Sequence, residues 1–349
     1  MNKKQVLLAM SGGIDSAVAA HLLKMRGFAV YGVHFKFWHW EEDTVARESS
    51  IIEELQTILD MEIKIVDYQE AFRRVVVDEF IDDLKIGLTP NPCVRCNPEV
   101  KFRLLSDIAE RKELQYISTG HYVRVSHDEV QNCFLLKKGM DKKKDQSYML
   151  SYLTQPILAK SLFPLGNLNK MDVYKIGKQL NLPITAEKES QDLCFIKPTN
   201  YQKMLSSMIS IENPGEVIDS EGRVLGHHKG LFYFTIGQRK GIEIPASRAY
   251  YVIRKDRIKN QLVVGYKDEL ETFSFKIERP NWISGHVKKS FQAAVKIRYR
   301  AKEVRALVEE GPNKEFQVSL NESVRGVTPG QYAVFYDHDI VIGGGRILG

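Results

Sequence analysis

A glycine-containing loop between an apolar segment and a helical segment constrains the fold of this chain more than any other feature. Residues 5–10 form an apolar run typical of a buried strand, and residues 15–26 have the pattern of a helix that ends at Gly27. Between them lies the string SGGIDS, residues 11–16. Glycines allow a tight turn and a close approach to a ligand, and the first amides of a helix bind anions. The order strand, loop, helix therefore predicts a phosphate site.

The rest of the first 204 residues repeats this alternation of strand and helix. Further strands are predicted at 29–35, 63–66 and 116–118, and helices at 44–60, 69–84, 99–112 and 169–180, the last with Asn169 as N-cap. Residues 87–98, rich in Pro and Cys, are interpreted as a loop. Alternation of this kind predicts a parallel sheet with its ligands at the carboxyl ends of the strands.

The pattern changes beyond residue 204. Turn signals there separate short β-rich runs, which include LFYFTI, residues 231–236. We predict three domains for the 349 residues: an α/β catalytic domain at 1–204, a small β-rich linker domain at 205–272 and a β-barrel at 273–349. No apolar run is long enough for a signal peptide or a membrane span, so we expect a cytoplasmic protein. We also expect a monomer.

Four cysteines are too few for a disulfide scaffold in a chain of this length. Cys93 and Cys96 form a CxxC pair, which suits metal ligation, redox pairing or nucleophilic catalysis. A four-cysteine zinc site needs a second pair, and the sequence contains none. Cys133 is interpreted as a buried core residue. Cys194, in ESQDLCF, is a third candidate for a working thiol.

The loop resembles that of the ATP pyrophosphatases, the PP-loop enzymes with an adenine nucleotide alpha hydrolase-like fold, which split ATP into AMP and pyrophosphate. It lacks the lysine of the ATPase loop GxxxxGK[ST]. Over almost its whole length the chain resembles the tRNA-specific 2-thiouridylases. The phrases that carry this resemblance are SGGIDS, TPNPCVRCNPEVKF, STGHY, KKDQSY, FPLGNL, ESQDLCF, YFTIGQRKG, KIRYR and PGQYAVFY.

The resemblance implies three sets of site residues. The ATP-binding set is Ala9, Met10, Ser11, Gly12, Gly13, Ile14, Asp15, Ser16, Phe35 and Gly120. The catalytic set is Cys96, the nucleophile, and Cys194, which receives sulfur as a persulfide. The tRNA-contacting set is Asn91, Pro92, Cys93, His121, Lys144, Asp145, Gln146, Arg298, Tyr299 and Gln331, of which the first three meet the target base.

One residue departs from the family pattern. Many members have Asp where this chain has Cys93, and a thiol that titrates near pH 8.5 is a poor substitute for a carboxylate. Either that acid/base role is dispensable here, or the site works differently. In the second case Cys93, Cys96 and Cys194 would hold three irons of a [4Fe–4S] cluster, with the fourth iron open to sulfide.

The resemblance also implies a reaction and its partners. ATP, accompanied by Mg²⁺, adenylates the C2 oxygen of an anticodon uridine, and sulfur then displaces AMP. Asp15 either orients the Mg²⁺ or caps the first helix. The Cys194 persulfide attacks C2 directly, or Cys96 releases hydrosulfide from it; both routes leave a Cys96–Cys194 disulfide. The implied partners are a tRNA anticodon stem-loop and a persulfide-donating sulfur carrier or cysteine desulfurase.

Two other functions compete with this one. An enzyme on the same scaffold would adenylate a different substrate, such as a carboxylate, and would need neither cysteine nor RNA. A non-catalytic RNA-binding module would keep the nucleotide pocket without turnover; the presence of Gly12, Gly13, Asp15 and both key cysteines argues against it. The aromatic run Trp38-His39-Trp40 either gates the ATP site or packs in the core.

Overall fold

The structure, a computed structural model, describes residues 3–40, 43–183, 193–209 and 213–348, and only the backbone at 43–48 and 198. The strands of the first domain are β1 (Gln5–Ala9), β2 (Ala29–Lys36), β3 (Ile63–Asp67), β4 (Tyr116–Ser118), β5 (Val123–Asp128), β6 (Cys133–Lys138) and β7 (Ser161–Leu162). Its α-helices are α1 (Ile14–Met25), α2 (Asp43–Leu59), α3 (Gln69–Phe72), α4 (Asp78–Lys85), α5 (Pro92–Cys96), α6 (Arg103–Arg111), α7 (Gln155–Lys160), α8 (Lys170–Gln179) and α9 (Tyr201–Met208).

The first domain is built on a parallel sheet with strand order β3-β2-β1-β4-β7. Strand β1 is buried on both faces, which explains its continuous apolar run. Leu7 belongs to the core on one face with α4 and α6, whereas Val6 and Leu8 belong to the core on the other with α1 and α8. The chain runs from β1 to β2 on one side and returns to β4 on the other, so the strand order reverses beside β1. Ligands of such sheets bind at that point, outside the carboxyl ends of the strands.

Two π-helical turns interrupt the predicted helices. Arg73–Val77 separates α3 from α4, and Asn97–Phe102 separates α5 from α6. The interpretation of residues 87–98 as a loop was wrong from Pro92 onward, because this proline is tolerated in the first turn of α5. Cys93 and Cys96 consequently lie on a helix. Asn169 caps α8 as predicted, since its side-chain oxygen accepts a hydrogen bond from the amide of Asp172.

The second domain contains a four-stranded sheet with strand order β10-β11-β8-β9. Its strands are β8 (Gly215–Ile218), β9 (Val224–His228), β10 (Tyr251–Asp256) and β11 (Gln261–Gly265). The run LFYFTI was predicted to be β structure, but it forms the 3₁₀ turn Leu231–Tyr233 and an extended segment. Its buried Leu231 and Phe234 pack with β8, β10 and β11. The apolar pattern therefore indicates burial in the core and does not indicate strand pairing.

The third domain is a closed β-barrel. Its strands are β12 (Glu271–Trp282), β13 (Ser290–Lys296), β14 (Val304–Glu310), β15 (Phe316–Arg325), β16 (Tyr332–Asp337) and β17 (Ile340–Ile347). The order β12-β15-β14-β13-β16-β17 closes because β17 also pairs with β12. The hairpin β5–β6 of the first domain extends this sheet through Lys137 opposite Ile340. The sequence did not predict that hairpin, which fixes the barrel against the catalytic domain.

No helix in these ranges is both long and apolar enough to cross a membrane. The α/β class and the three-domain order are confirmed, while the predicted boundaries at 204/205 and 272/273 stay predictions.

Candidate active site

The loop after β1 is held by hydrogen bonds within six consecutive residues. The hydroxyl of Ser16 donates to the carbonyl of Gly13 at 2.9 Å and accepts from the amide of Ser11 at 3.2 Å. Gly12 has φ +81°, a conformation that only glycine adopts without strain. Gly13 is the N-cap of α1 and supplies no side-chain hydrogen bond, so the first amides of α1 remain for a ligand. This geometry fits the phosphates of a nucleotide.

Asp15 is the point where this loop is tied to the rest of the domain. Its carboxylate accepts hydrogen bonds from the ammonium of Lys170, at 2.7 and 2.8 Å, and from the hydroxyl of Tyr122 at 2.7 Å. Burial, together with the charge of Asp15, raises the pKa of Tyr122 well above its usual range. The capping alternative for Asp15 was wrong, because α1 begins at Ile14 with Gly13 as its N-cap. The carboxylate instead joins α1 to the start of α8.

The remaining members of the predicted ATP set lie at the carboxyl ends of neighbouring strands. Ala9 ends β1, and the carbonyl of the buried Met10 is 2.8 Å from Nδ1 of His34. Phe35 is a buried residue of β2 that stacks on Phe37. Gly120 lies two residues after the end of β4 and packs against the start of α1. A Cβ at this position would lie 3.0 Å from the amide nitrogen of Ser16. The fold thus places all ten residues beside the reversal point, while their contact with ATP stays a prediction.

Three thiols share the electrostatic field of Lys101. Cys96 is buried at the end of α5, Cys93 is half-buried one turn earlier, and Cys194 is exposed. Burial raises the pKa of Cys93 to about 11 and that of Cys96 to about 12, and charge on Cys194 raises both further. Cys96 and Cys194, the two cysteines predicted to be catalytic, are far apart in sequence and therefore share one electrostatic neighbourhood only in the folded chain. In the free protein this neighbourhood keeps Cys93 and Cys96 protonated at neutral pH.

A buried aromatic residue positions Cys194. The ring of its neighbour Phe195 makes edge contacts with Phe72 and Phe80, with centroids 6.2 and 5.6 Å apart, and is 1% exposed. The amide of Trp40 donates to the carbonyl of Phe195 at 2.9 Å, and the Trp38 ring packs 6.5 Å away. The packing interpretation of the Trp38-His39-Trp40 run is confirmed for the two tryptophans. The preceding residues of ESQDLCF, 189–192, lie outside the described ranges.

His121 connects the loop side of the site with the thiol side. It follows Gly120 directly, and its Nδ1 is 2.8 Å from the hydroxyl of Thr119. Burial, and then the charge of Lys101, lower the pKa of His121 to about 3. The imidazole is therefore neutral at physiological pH. Its titration cannot supply a positive charge for tRNA, so the predicted contact must use a neutral ring.

A metal cluster does not fit the cysteines as they are arranged. Within the described ranges, no group of three or more His, Cys, Asp or Glu side chains is placed to hold a metal ion. Cys93, Cys96 and Cys194 all belong to these ranges. We therefore derive no step through an iron–sulfur cluster.

Asp145 and Gln146, from the predicted tRNA set, have structural side-chain partners. Asp145 is buried and accepts hydrogen bonds from the amides of Gly139 and Ser147 and from the Ser147 hydroxyl. Gln146 accepts through its side-chain oxygen from the amide of Tyr122 at 2.9 Å. Both hold the turn that presents the half-buried Lys144. Direct contact of this trio with tRNA stays a prediction.

The residues predicted near the target base lie beside Tyr148, which in turn packs on the barrel residue Tyr299. Asn91 is the N-cap of α5, Pro92 is its first residue, and the Asn91 side chain hydrogen-bonds Tyr148. Tyr299 packs on Tyr148 with ring centroids 6.1 Å apart, next to the exposed Arg298.

Gln331 anchors the chain just before α5. Its side-chain amide donates to the carbonyl of Thr89 at 2.9 Å, and the Thr89 amide donates to the carbonyl of Pro329 at 3.0 Å. Gln331 thus positions the start of α5 in the free protein, and its contact with tRNA stays a prediction.

Two lysines of the site were missed from the sequence. Lys170 follows the predicted cap Asn169, but nothing local indicates its ion pair with Asp15. Lys101 lies in the phrase PEVKF, and its charge acts on Cys93, Cys96 and Cys194. A signal for Lys101 existed in its five-residue spacing from Cys96, which becomes meaningful only with a π-helical turn between them.

Comparison with known proteins supports this reading of the geometry. Three family models match: the tRNA methyl transferase HUP domain at residues 4–198, the tRNA methyl transferase PRC-barrel domain at 202–266 and the aminomethyltransferase beta-barrel domain at 272–347. Among solved structures, the U34-tRNA thiolase NcsA from Methanococcus maripaludis, with its [4Fe-4S] cluster, has a TM-score of 0.36 and 17% identity, covering 60% of this chain and 65% of that one. Similarity at that level carries no argument about the site.

Two relatives match from end to end. The tRNA-specific 2-thiouridylase MnmA of Natranaerobius thermophilus is 40% identical, with 100% of this chain and 98% of the relative covered. The protein of the same name from Caldicellulosiruptor saccharolyticus is 38% identical, with 99% and 98% covered. Together with the PP-loop geometry and the meeting of Cys96 and Cys194, these matches show that the chain belongs to the tRNA-specific 2-thiouridylase MnmA family of tRNA sulfurtransferases.

Proposed function

We propose that this protein thiolates C2 of the wobble uridine of tRNA by adenylating the C2 oxygen with ATP and then transferring sulfur from a persulfide on Cys194. The observation that carries the proposal is the meeting of two distant cysteines beside the phosphate loop. Gly120 touches the loop at Ser16, and the adjacent His121 lies within the field of Lys101, as do Cys96 and Cys194. The loop proposed to bind ATP and the cysteines proposed to carry sulfur are therefore linked through two consecutive residues, Gly120 and His121.

The loop side supplies the activation of the base. Uracil C2 is a poor electrophile, and its oxygen is a poor leaving group. Attack of that oxygen on the α-phosphate of ATP releases pyrophosphate and turns the oxygen into part of AMP, a good leaving group. The amides at the start of α1 would hold the phosphates, and Mg²⁺ would offset their charge.

The thiol side supplies the sulfur. In one route the terminal sulfur of the Cys194 persulfide attacks C2 and AMP departs; the Cys96 thiolate then attacks Sγ of Cys194, and the thiocarbonyl leaves. In the other route the Cys96 thiolate attacks Sγ of Cys194 first, and the released hydrosulfide attacks C2. Both routes end in a Cys96–Cys194 disulfide, so each turnover consumes two electrons from an external reductant. Both also require Cys96 as a thiolate, because the thiol is a weak nucleophile.

The proposal includes partners and a location. The wobble base must leave the anticodon stack to reach a closed pocket, as bases do in other enzymes of this kind. Asn91, Pro92 and Cys93 would meet the base, while Lys144 and Arg298 would neutralise phosphates of the anticodon stem-loop. A persulfide-carrying protein, either a cysteine desulfurase or a sulfur carrier, would load Cys194, whose exposure suits this transfer. We propose a cytoplasmic monomer.

The test separates adenylation from sulfur transfer. Purified protein is incubated with unmodified tRNA, ATP, Mg²⁺ and a persulfide donor; pyrophosphate and the thiolated nucleoside are then measured. We expect Cys194→Ser to lose thiolation below detection and to keep tRNA-dependent pyrophosphate release within about twofold, because the thiol acts after adenylation. Replacing the wobble uridine by cytidine should abolish both signals.

Cys133→Ala is the matched control, since Cys133 is a buried cysteine of β6. It should leave both signals unchanged. Full thiolation by Cys194→Ser, or pyrophosphate release that needs no tRNA, would contradict the proposal and favour adenylation of a different substrate.

A further inference from the structure

Lys101 lies on the same side of its helix as Cys96 because the turn between them is wide. In an α-helix, with 3.6 residues per turn, a residue five positions on is rotated by about 140° from the first. The segment Asn97–Phe102 is π-helical, and its hydrogen bonds join residues five apart. Lys101 is therefore placed about one turn beyond Cys96 on a shared face. Such turns are rare and occur frequently at functional sites.

In the part of the chain that the structure describes, Lys101 has cysteines around it and no carboxylate partner. Its side chain is half-buried, and within the described ranges it has no hydrogen bond or ion pair. Burial acts to lower its pKa, yet the pKa is raised because negative charge on Cys96, Cys194 and Cys93 outweighs burial. Two other lysines of this chain are paired with carboxylates: the buried Lys170 binds Asp15, and the half-buried Lys138 binds Glu303.

The other ionisable groups around the thiols do not replace this charge. Glu99 acts to raise the pKa of Cys96 and is itself hydrogen-bonded to Arg95 at 2.7 Å. His121 is neutral at physiological pH. Lys101 is the group that acts to lower the pKa of Cys96, against burial and the neighbouring thiols.

We infer that Lys101 is the counter-cation of the anionic sulfur formed at Cys96 and Cys194 during turnover. Among the described residues this half-buried ammonium has no carboxylate partner, which costs folding free energy that an anion in the site would offset. The anions of the proposed reaction are the Cys96 thiolate, the persulfide and hydrosulfide, so the inference rests on the proposed function. By its position Lys101 favours anionic sulfur at the place where Cys96 must react.

Alkylation by reagents of different charge tests this inference without tRNA or ATP. The full-length protein is treated at pH 9 with iodoacetate, an anion, or iodoacetamide, which is neutral. Tryptic peptides are then quantified by mass spectrometry; cleavage after Arg95 places Cys93 and Cys96 on separate peptides. The readout is the ratio of the two alkylation rates at Cys96.

We expect Lys101→Met to lower this ratio about fivefold, because the anionic reagent loses an attractive charge at close range. Lys101→Arg should keep the ratio within about twofold of wild type. Lys112→Met removes an exposed charge at the end of α6 and should leave it unchanged. A merely structural role of Lys101 would change both rates at Cys96 alike. Cys133 serves as an internal reference, where the ratio should not move.

An unchanged ratio at Cys96 in folded Lys101→Met overturns the inference. If that variant does not fold, Lys101→Gln replaces it with the same expected fall and the same overturning result. In the thiolation assay Lys101→Met should lose at least about tenfold in kcat and keep pyrophosphate release. If the wild type itself fails to thiolate tRNA, the proposed function fails, while the alkylation ratio still decides the role of Lys101.

Discussion

The phosphate loop and the thiol centre lie on either side of Gly120, and they are built in opposite ways. The loop is a run of six residues, Ser11 to Ser16, whose turn is held by hydrogen bonds among Ser11, Gly13 and Ser16. The thiol centre combines α5, the π-helical turn after it, and the segment at Cys194. The loop is complete in the free protein, whereas the buried thiols are protonated there. If the proposed function is correct, the free protein is therefore prepared for the ATP step, whereas the sulfur step first requires deprotonation of Cys96.

The largest expected effect is the pH dependence of the alkylation rate of Cys96. The pKa of Cys96 is raised to about 12. At every pH below this pKa, the thiolate fraction of Cys96 therefore increases about tenfold for each unit by which the pH is raised. Its rate of alkylation by iodoacetamide should therefore increase about 1000-fold from pH 7 to pH 10. The exposed Cys194 should react before Cys96 at pH 7. Peptide-resolved mass spectrometry measures both rates, and a Cys96 rate that levels off near pH 8 would mean that the thiol centre is already active.

The second prediction concerns Gly120, whose substitution should displace the phosphate loop. A side chain at Gly120 would press on the backbone of Asp15 and Ser16, at 3.1 and 3.0 Å from its Cβ. We expect Gly120→Val to reduce tRNA-dependent pyrophosphate release about 100-fold, because a small displacement of phosphate-binding groups has effects of that size. Alkylation of Cys194 should not change.

Gly311→Val is the control for this variant. Gly311 lies in a barrel loop and has a φ of −100°, which any residue can adopt. A Cβ added at Gly311 would make an ordinary contact, 3.5 Å from the carbonyl oxygen of Glu315. Normal pyrophosphate release by Gly120→Val would show that the loop tolerates displacement, against the idea that it is a preformed site.

The third and smallest prediction concerns stability. Lys170→Met removes the partner of Asp15, whose side chain is 33% exposed, while that of Lys170 is 9% exposed. We expect the free energy of unfolding to fall by about 2 kcal/mol, less than for a fully buried pair because solvent screens the remaining carboxylate. Denaturant unfolding measures this change.

Lys175→Met, on the same helix with a side chain that is 73% exposed, should change stability by less than about 0.5 kcal/mol. Equal stability of the two variants would mean that the Asp15 pair does not hold the loop side of the site together.

The phosphate loop and the thiol centre also differ in how well the sequence predicted their local structure. The phosphate loop was predictable because its glycines, its serines and the helix start are consecutive and act locally. The helix that carries Cys93 and Cys96 was predicted as a loop, since two prolines obscured a start at Pro92. The run LFYFTI was predicted as β structure because a short apolar run reports burial without reporting backbone conformation.

The α/β class, the three-domain order and the glycine loop after β1 could all be inferred from the sequence, and its resemblance to a family marked Cys96 and Cys194 as candidates. The contact of Asp15 with Lys170, the anchoring of Cys194 by Phe195 and the position of Lys101 beside the thiols became visible only in the folded chain. These features differ in the sequence separation of the residues whose interactions determine them. Turns and helix starts depend on neighbouring residues, whereas the pairing and the charge environment of buried groups depend on elements that meet only when the chain is packed.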